Sequence, residues 1–188
     1  MKFPHISSVI SFFEEVHTYF DTNAVMNEGF ENLLKLCSRQ LKENHITIYI
    51  TSSVLYELKK ISESEGKSTA ITAKTRLAEI EVLTNQGIIK HIGNPNHKCP
   101  ATQQLVKIAI KYRSHNKLAF ITCNKELSHD LLMQNNLKSY NGHHIYVFNI
   151  SKKGFLYDYE ERSEKAEKKP LFGKINQEND LLNLFGLN

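Results

Sequence analysis

The chain has 188 residues, 40% of them hydrophobic, which is enough for one domain around one large core. Its net charge of +4 is too small to mark the whole protein as a polyanion binder, and its three cysteines (Cys37, Cys99 and Cys123) fit neither a disulfide framework nor a closed zinc site. We expect a reduced, cytoplasmic protein without an export signal or a membrane span, because the sequence has no N-terminal apolar h-region and no apolar run of about 18 residues.

Five short runs rich in Ile, Val, Phe and Tyr alternate with segments of helical character up to Ile150. These runs predict strands at residues 17–21, 47–51, 88–92, 118–122 and 144–150. The alternation is typical of βαβ units, since two parallel strands need a crossover between them. We therefore predict an α/β fold with a mostly parallel five-stranded sheet.

Apolar residues recur at helical spacing between the predicted strands. This periodicity predicts helices around residues 30–41, 54–61, 70–83, 105–112 and 127–132. Gly66 lies in a polar connector, and the run Gly93-Asn94-Pro95-Asn96 predicts a loop.

The composition changes after Ile150, and residues 157–169 are dense in Glu, Lys and Arg. We therefore divide the chain into a folded domain, 1–155, and a charged linker with a C-terminal tail, 156–188, outside the sheet. Apolar residues at 181–185 predict a helix that folds back on the domain. The alternative is that the tail docks on a protein partner, and a homodimer also stays open.

Asp21 ends the first predicted strand and is followed by Thr22 and Asn23. In an open parallel sheet, ligands bind outside the carboxyl ends of the strands. An aspartate there suits a divalent cation, while the polar side chains after it orient its second oxygen or a metal-bound water. The same residues suit an Asx turn or a helix cap, so the residues alone leave both roles open.

Glu57 lies in the second predicted helix, close to its apolar face. A carboxylate near an apolar face is costly to desolvate unless a partner compensates it, and a cation is one such partner. The alternative is a surface glutamate that pairs with Lys59 or Lys60.

Together, these segments resemble the PIN domain family. The resemblance rests on Asp21-Thr22-Asn23 after a strand, on residues 52–58 with Glu57 in a helix, and on the run 122–127 after an apolar strand; it covers about residues 16–150. It implies a three-layer, Rossmann-like α/β/α fold with an Mg²⁺ or Mn²⁺ site of three or four carboxylates that hydrolyses RNA phosphodiester bonds. Many members are toxins of toxin–antitoxin pairs, so an antitoxin is an implied partner, and others process ribosomal RNA.

Within this resemblance, the first family aspartate falls on Asp21 and the helical glutamate on Glu57. A third acid is expected near Thr102 or Gln103 and a fourth at Asn124, but these positions hold hydroxyl or amide groups. Each missing carboxylate weakens the binding of Mg²⁺ and the activation of water.

Asn124 and Glu126 are the candidates for completing the site. The amide oxygen of Asn124 is a cation ligand by its chemistry, although Asn124 also suits the N-cap of the helix that follows. Glu126, two residues further on, reaches back from the first helical turn, and Asp130 lies one turn beyond it. We predict Asp21, Glu57, Asn124 and Glu126 as catalytic residues, the first three being metal ligands.

The stretch between Glu81 and Glu126 contains no Asp or Glu, whereas it contains seven Lys or Arg residues and three His residues. In the implied fold this stretch supplies part of the cleft, where positive charge attracts phosphates. We predict six nucleic-acid contacts: Thr22, Asn23, Lys107, Lys111, Arg113 and Lys125. The alternative is an ordinary solvated helix face.

Two main hypotheses follow. The first is a metal-dependent endoribonuclease that hydrolyses single-stranded RNA with Mg²⁺ or Mn²⁺, with the toxin of a toxin–antitoxin pair as one form of it. The second is a PIN-like domain that has lost catalysis and binds RNA or a protein partner through the same surface. RNA is the expected ligand in the first hypothesis, and an antitoxin or another protein is expected to bind through the tail.

Overall fold

The computed structural model describes residues 6–64, 68–95, 99–136 and 142–159. The predictions for Gly66, Asn96 and tail residues 160–188 lie outside these ranges. The described helices are α1 (Ile6–Glu15), α2 (Thr22–Met26), α3 (Glu28–Glu43), α4 (Ser52–Ser62), α5 (Ser68–Asn85), α6 (Ala101–Tyr112) and α7 (Lys125–Met133). The strands are β1 (His17–Phe20), β2 (Ile48–Thr51), β3 (Ile89–Ile92), β4 (Leu118–Ile121), β5 (Ile145–Ile150) and β6 (Leu156–Asp158). A 3-10 helix, Gln134–Asn136, follows α7.

The strands form one six-stranded sheet in the order β3-β2-β1-β4-β5-β6. The first five strands are parallel, and β6 is antiparallel to β5. The predicted parallel α/β fold is therefore confirmed. The predicted number of five strands is wrong, because residues 156–158, assigned to the tail, pair with β5. A strand of three residues that runs into a charged stretch leaves too short a pattern to detect.

The five predicted strands agree with β1 to β5 to within one residue at either end. The five predicted helices correspond to α3, α4, α5, α6 and α7. Two further helices, α1 and the five-residue α2, were not predicted. None of the helices within the described ranges has both the length and the apolar character needed to cross a membrane.

Helices cover both faces of the sheet. On one face, strand residues such as Phe20, Ile50 and Ile121 pack with α1 to α5. On the other face, Tyr19 and Phe120 pack with α6 and α7, and their rings stack with centroids 5.3 Å apart. Successive side chains of a strand point to opposite faces, so the nearly continuous apolar runs in the sequence fit a sheet buried on both sides.

The strand order places the carboxyl ends of β1, β2 and β4 side by side. β1 lies between β2 and β4, so the chain moves outward to β3 on one side and to β5 on the other. This reversal of direction is the switch point at which open α/β sheets bind ligands. Asp21, Ser52 and Thr122 directly follow β1, β2 and β4 at this edge.

The turn between β5 and β6 is fixed against the start of α3. A side chain at Gly154 would come within 2.6 Å of the Leu33 backbone nitrogen, and one at Gly29 would come within 1.9 Å of the Ser151 carbonyl oxygen. The Asn32 side-chain amide donates to the Lys152 carbonyl at 2.7 Å. The close approach of the two backbones requires glycine at both positions.

Candidate active site

Asp21 is a buried carboxylate at the carboxyl end of β1, with 2% of its surface exposed. Its backbone N–H donates to the Ile121 carbonyl at 3.0 Å, which holds it beside β4. Its Oδ2 accepts a hydrogen bond from the Thr122 hydroxyl at 2.9 Å, and that hydroxyl accepts one from the Asn124 N–H at 3.0 Å. The carboxylate is thus fixed by neutral groups, and none of these contacts supplies a positive charge.

Burial raises the pKa of Asp21 above its ordinary value, because removing a charge from water favours the neutral acid. The hydrogen bond from Thr122 and the backbone N–H groups of Thr22 and Asn23 act in the opposite direction, while the negative charge of Glu57 raises the pKa further. A cation beside Asp21 would remove this penalty.

The alternative role of Asp21 as a helix cap is only partly met. Asp21 occupies the N-cap position of α2 in an extended conformation, but its side chain forms no cap hydrogen bond. The backbone N–H groups of Thr22 and Asn23 lower the pKa of the Asp21 carboxyl, but they do not form a regular cap hydrogen bond with it. Its carboxylate is therefore directed to Thr122 and the strand ends.

Glu57 enters the same site from α4. This helix begins directly after β2, and the Thr51 hydroxyl caps it by accepting from the Val54 N–H at 3.3 Å. Oε2 of Glu57 accepts from the Thr22 hydroxyl at 2.5 Å, and Oε1 accepts from the Ala101 N–H at 2.8 Å. The side chain points inward to these groups, so its sequence alternative, a surface pair with Lys59 or Lys60, is wrong.

Thr22 links the two acids, because it follows Asp21 in the chain and donates to Glu57. Thr22 is itself buried, with 6% of its surface exposed. This position makes Thr22 a positioning residue for Glu57. Asn23, the next residue, is exposed.

Glu57 also acts as a cap for α6. Pro100 occupies the N-cap position of α6 and offers no side-chain cap, so the Ala101 N–H takes its acceptor from Glu57. A helix N-terminus carries partial positive charge, which favours a carboxylate there. The positions where a third acid was expected, Thr102 and Gln103, are in this first turn, half-buried and exposed respectively.

Polar contacts that no sequence pattern predicts join α4 to α6 and the residues before it. The Ser53 N–H donates to Gln104 Oε1 at 3.0 Å, and the Ser53 hydroxyl lies 3.3 Å from the Cys99 sulfur. A side chain at Gly93 would come within 2.3 Å of Gln104 Nε2. These contacts fix the wall of the site next to Glu57, and they join residues too far apart in sequence for a local pattern to show.

Asn124 has the cap role that the sequence offered as one of its two alternatives. Its Oδ1 accepts from the N–H groups of Glu126 and Leu127, at 2.9 and 3.2 Å. The amide oxygen that would bind a cation is thereby engaged with the first turn of α7. A metal ligand at this position would have to share that oxygen with the helix.

Glu126 and Asp130 are both exposed on α7. Within the described residues, no group of three or more His, Cys, Asp or Glu side chains gathers around a point that could hold a metal ion. The site therefore consists of the two carboxylates of Asp21 and Glu57. This donor set fits a magnesium-type site of the minimal kind, in which one or two carboxylates bind the ion together with water and substrate phosphates.

The predicted phosphate contacts divide into two groups. Lys107 and Lys111 on α6 and Lys125 at the start of α7 are exposed, and Lys111 Nζ lies 5.0 Å from the centre of the Tyr112 ring. Arg113 is buried, with 5% of its surface exposed.

The buried Arg113 supports the fold. Its guanidinium donates to the Gln134 carbonyl at the end of α7, and its own carbonyl accepts from the His143 N–H at 2.8 Å. Gly142 packs directly on its side chain. We therefore leave Arg113 out of the candidate phosphate-binding residues.

A scan of the chain against protein-family models gives no match, and a search of the curated proteins gives none either. Function therefore has to be inferred from the site itself. Its defining features are the neighbouring acids Asp21 and Glu57, the Thr22 hydroxyl that holds Glu57, and the exposed lysines of α6 and α7.

Proposed function

We propose that the protein is a PIN-like ribonuclease that hydrolyses single-stranded RNA with the help of Mg²⁺ or Mn²⁺. The observation that carries this proposal is that Glu57, held by the Thr22 hydroxyl at 2.5 Å, places its negative charge close enough to act on the buried Asp21. Asp21 is buried within reach of the negative charge of Glu57, and a buried carboxylate beside a like charge is costly to keep charged unless a cation compensates it. Their place at the switch point of the sheet is the usual place for a ligand.

In this proposal each side chain has a distinct task. Asp21 and Glu57 hold the ion, which when bound supplies Lewis acidity and lowers the pKa of water. Thr122 fixes one oxygen of Asp21 and leaves the other for the ion, while Thr22 fixes Glu57. The exposed lysines of α6 and α7 attract the RNA backbone.

The two missing acids reduce the number of ligands that the protein offers to a metal ion. The third and fourth expected positions hold Thr102 or Gln103 and Asn124, so the protein alone offers few ligands. Mg²⁺ commonly completes its shell with water and substrate phosphate oxygens. We therefore propose that the ion binds weakly to the free protein and more tightly together with RNA.

The test is cleavage of an end-labelled single-stranded RNA in the presence of Mg²⁺, Mn²⁺ or a chelator. We expect cleavage that needs the ion and that Asp21→Asn abolishes. Asp130→Asn is the matched control, since it removes an exposed carboxylate on α7 and should leave cleavage unchanged. Equal cleavage by the wild type and Asp21→Asn would contradict the proposal.

A second function is a PIN-like domain that binds RNA without cutting it. The observation that favours it is the engagement of both Glu57 oxygens, by Thr22 and Ala101, and of the Asn124 amide oxygen in a helix cap. In that case calorimetric titration of Mn²⁺ gives no heat of binding, whether RNA is present or absent. RNA binding then persists and weakens with added salt.

A further inference from the structure

Helix α5 is apolar on two opposite faces. Ala70, Ala73 and Ile80 are buried toward α4 and the sheet. Ile71 and Val82, by contrast, are 70% and 54% exposed in the part of the chain that the structure describes. A helix with apolar residues on both sides is normally covered on both sides.

The exposed apolar residues of α5 share one row with Thr75. Ile71, Thr75, Ala78 and Val82 follow one another at steps of four, three and four positions, so they lie on one face of the helix. Thr75, Ala78 and Val82 of this row line one wall of a groove of about 390 Å³, and α3 forms the other wall with Leu34 and Ser38. We call it the α3–α5 groove.

The walls of the α3–α5 groove are fixed by a buried arginine. Arg76, with 3% of its surface exposed, donates to Glu31 of α3 at 3.0 Å and to Glu79 of α5 at 2.6 Å. Both glutamates line the groove. A buried charge held by two partners resists displacement, so the groove is preformed.

The C-terminal tail offers an occupant of matching chemistry. Leu181, Leu182, Leu184 and Phe185 stand at spacings that place them on one side of a helical turn. Residues 160–180 precede them and can span roughly 70 Å when extended. The described chain leaves the sheet after β6, whose connecting turn is fixed on α3, the same helix that forms one wall of the groove.

The size of the groove favours a short segment over a second copy of the protein. A stable dimer buries roughly 800 Å² on each partner. The α3–α5 groove has a volume of about 390 Å³, which suits a few apolar side chains on a single turn.

We propose that residues 181–187 of the tail dock in the α3–α5 groove of their own chain and cover the outer face of α5. This interaction is independent of the proposed ribonuclease function, because the groove uses none of the residues of that site. It converts the exposed row of α5 into an interface within one molecule.

The test is hydrogen exchange of the full-length protein, measured by mass spectrometry on peptides from residues 181–187 and from α5. We expect amides of the tail peptide to exchange at least about tenfold more slowly in the wild type than in Val82→Asp, since a charge in the groove opposes docking. Leu184→Asp places the charge in the tail instead of the groove, and it should likewise speed hydrogen exchange of the α5 peptide. Ile110→Asp is the matched control, because Ile110 is 41% exposed on α6, across the sheet.

Three outcomes would overturn the proposal. The first is a tail peptide without protection in the wild type, and the second is protection that survives Val82→Asp. The third is protection that rises with protein concentration together with a dimer in light scattering, which assigns the groove to a second copy. Melting curves of each variant verify that it is folded.

Discussion

The hydroxyl of Thr22 donates to Glu57 at 2.5 Å and so joins the end of β1 to α4. Thr22 directly follows Asp21, and Glu57 also receives the first N–H of α6. The Glu57 carboxylate therefore connects α4 to α2 and α6 at the carboxyl ends of the strands. This arrangement gives Glu57 a structural role alongside its proposed role in metal binding.

Thr22→Val should destabilise the fold by about 1 kcal/mol, since it leaves a carboxylate oxygen of Glu57 without its donor while keeping the shape of the side chain. Thr22→Ser keeps the hydroxyl and should cost less. Urea unfolding followed by circular dichroism measures both. Thr72→Val is the control, because the Thr72 hydroxyl donates to the Ser68 carbonyl of its own helix, at an exposed position. If Thr22→Val and Thr22→Ser are equally stable, the hydrogen bond does not hold Glu57.

Asp21→Asn should make the protein more stable at neutral pH, by about 1 kcal/mol, because a neutral amide avoids the cost of a buried charge. The pKa of Asp21 is raised in the fold by burial from its ordinary 3.8, so the folded protein binds the proton more tightly than the unfolded chain. The wild type consequently loses stability as pH rises through the folded pKa. The gain in stability from Asp21→Asn should be complete above the folded pKa, where Asp21 is charged in both states. It should vanish below pH 3.8, where Asp21 is protonated in both states.

Thermal melting of the wild type and Asp21→Asn over a pH series measures this difference. Asp130→Asn, at an exposed position, should show no such pH-dependent gain. A gain for Asp21→Asn that grows as the pH falls would contradict the assignment of a raised pKa.

Two substitutions at Asn124 distinguish its role as the cap of α7 from a role in metal binding. Asn124→Ala should destabilise the protein by about 1 kcal/mol, because α7 loses its cap. Asn124→Asp keeps an equally good cap and adds a carboxylate, so stability should stay the same while Mn²⁺ binds roughly tenfold more tightly. Unfolding curves and calorimetric titration give the two readouts. Unchanged Mn²⁺ affinity in a stable Asn124→Asp variant would show that this side chain does not face the ion.

Arg113 and Lys111 lie two residues apart and should behave differently. Arg113→Met removes the donor to the Gln134 carbonyl and should cost about 2 kcal/mol of stability. Lys111→Met should leave stability nearly unchanged, but it should weaken RNA binding and lower the slope of log affinity against log salt by about 1. Filter binding over a salt series measures the slope. A Lys111→Met variant with the wild-type slope would remove α6 from the RNA-binding surface.

The elements that the sequence predicted well are those with strong periodicity. Buried runs such as Leu118–Ile121 read as strands because both faces of the sheet are covered. Asp21 and Glu57 were identified because each lies at a position defined by local pattern, one after a strand and one in a helix. In the structure the negative charge of Glu57 acts on Asp21, while their role as metal ligands stays a prediction.

Other features depend on contacts between distant parts of the chain. The bond between Glu57 and the Ala101 N–H spans 44 positions, and nothing in either segment indicates it. Arg113 was predicted to contact nucleic acid because it belongs to the basic stretch without Asp or Glu, whereas its position at the end of α6 buries its side chain. The strand β6 is fixed by pairing with β5 and by the turn on α3, which a three-residue pattern cannot convey.

The most direct measurement of the central claim is an anomalous difference map from crystals soaked in Mn²⁺. We predict a peak between the carboxylates of Asp21 and Glu57, and no such peak in Asp21→Asn crystals treated in the same way. A map that shows Mn²⁺ only at other positions, or none at all at saturating concentrations with RNA present, would contradict a metal-dependent site at these two residues.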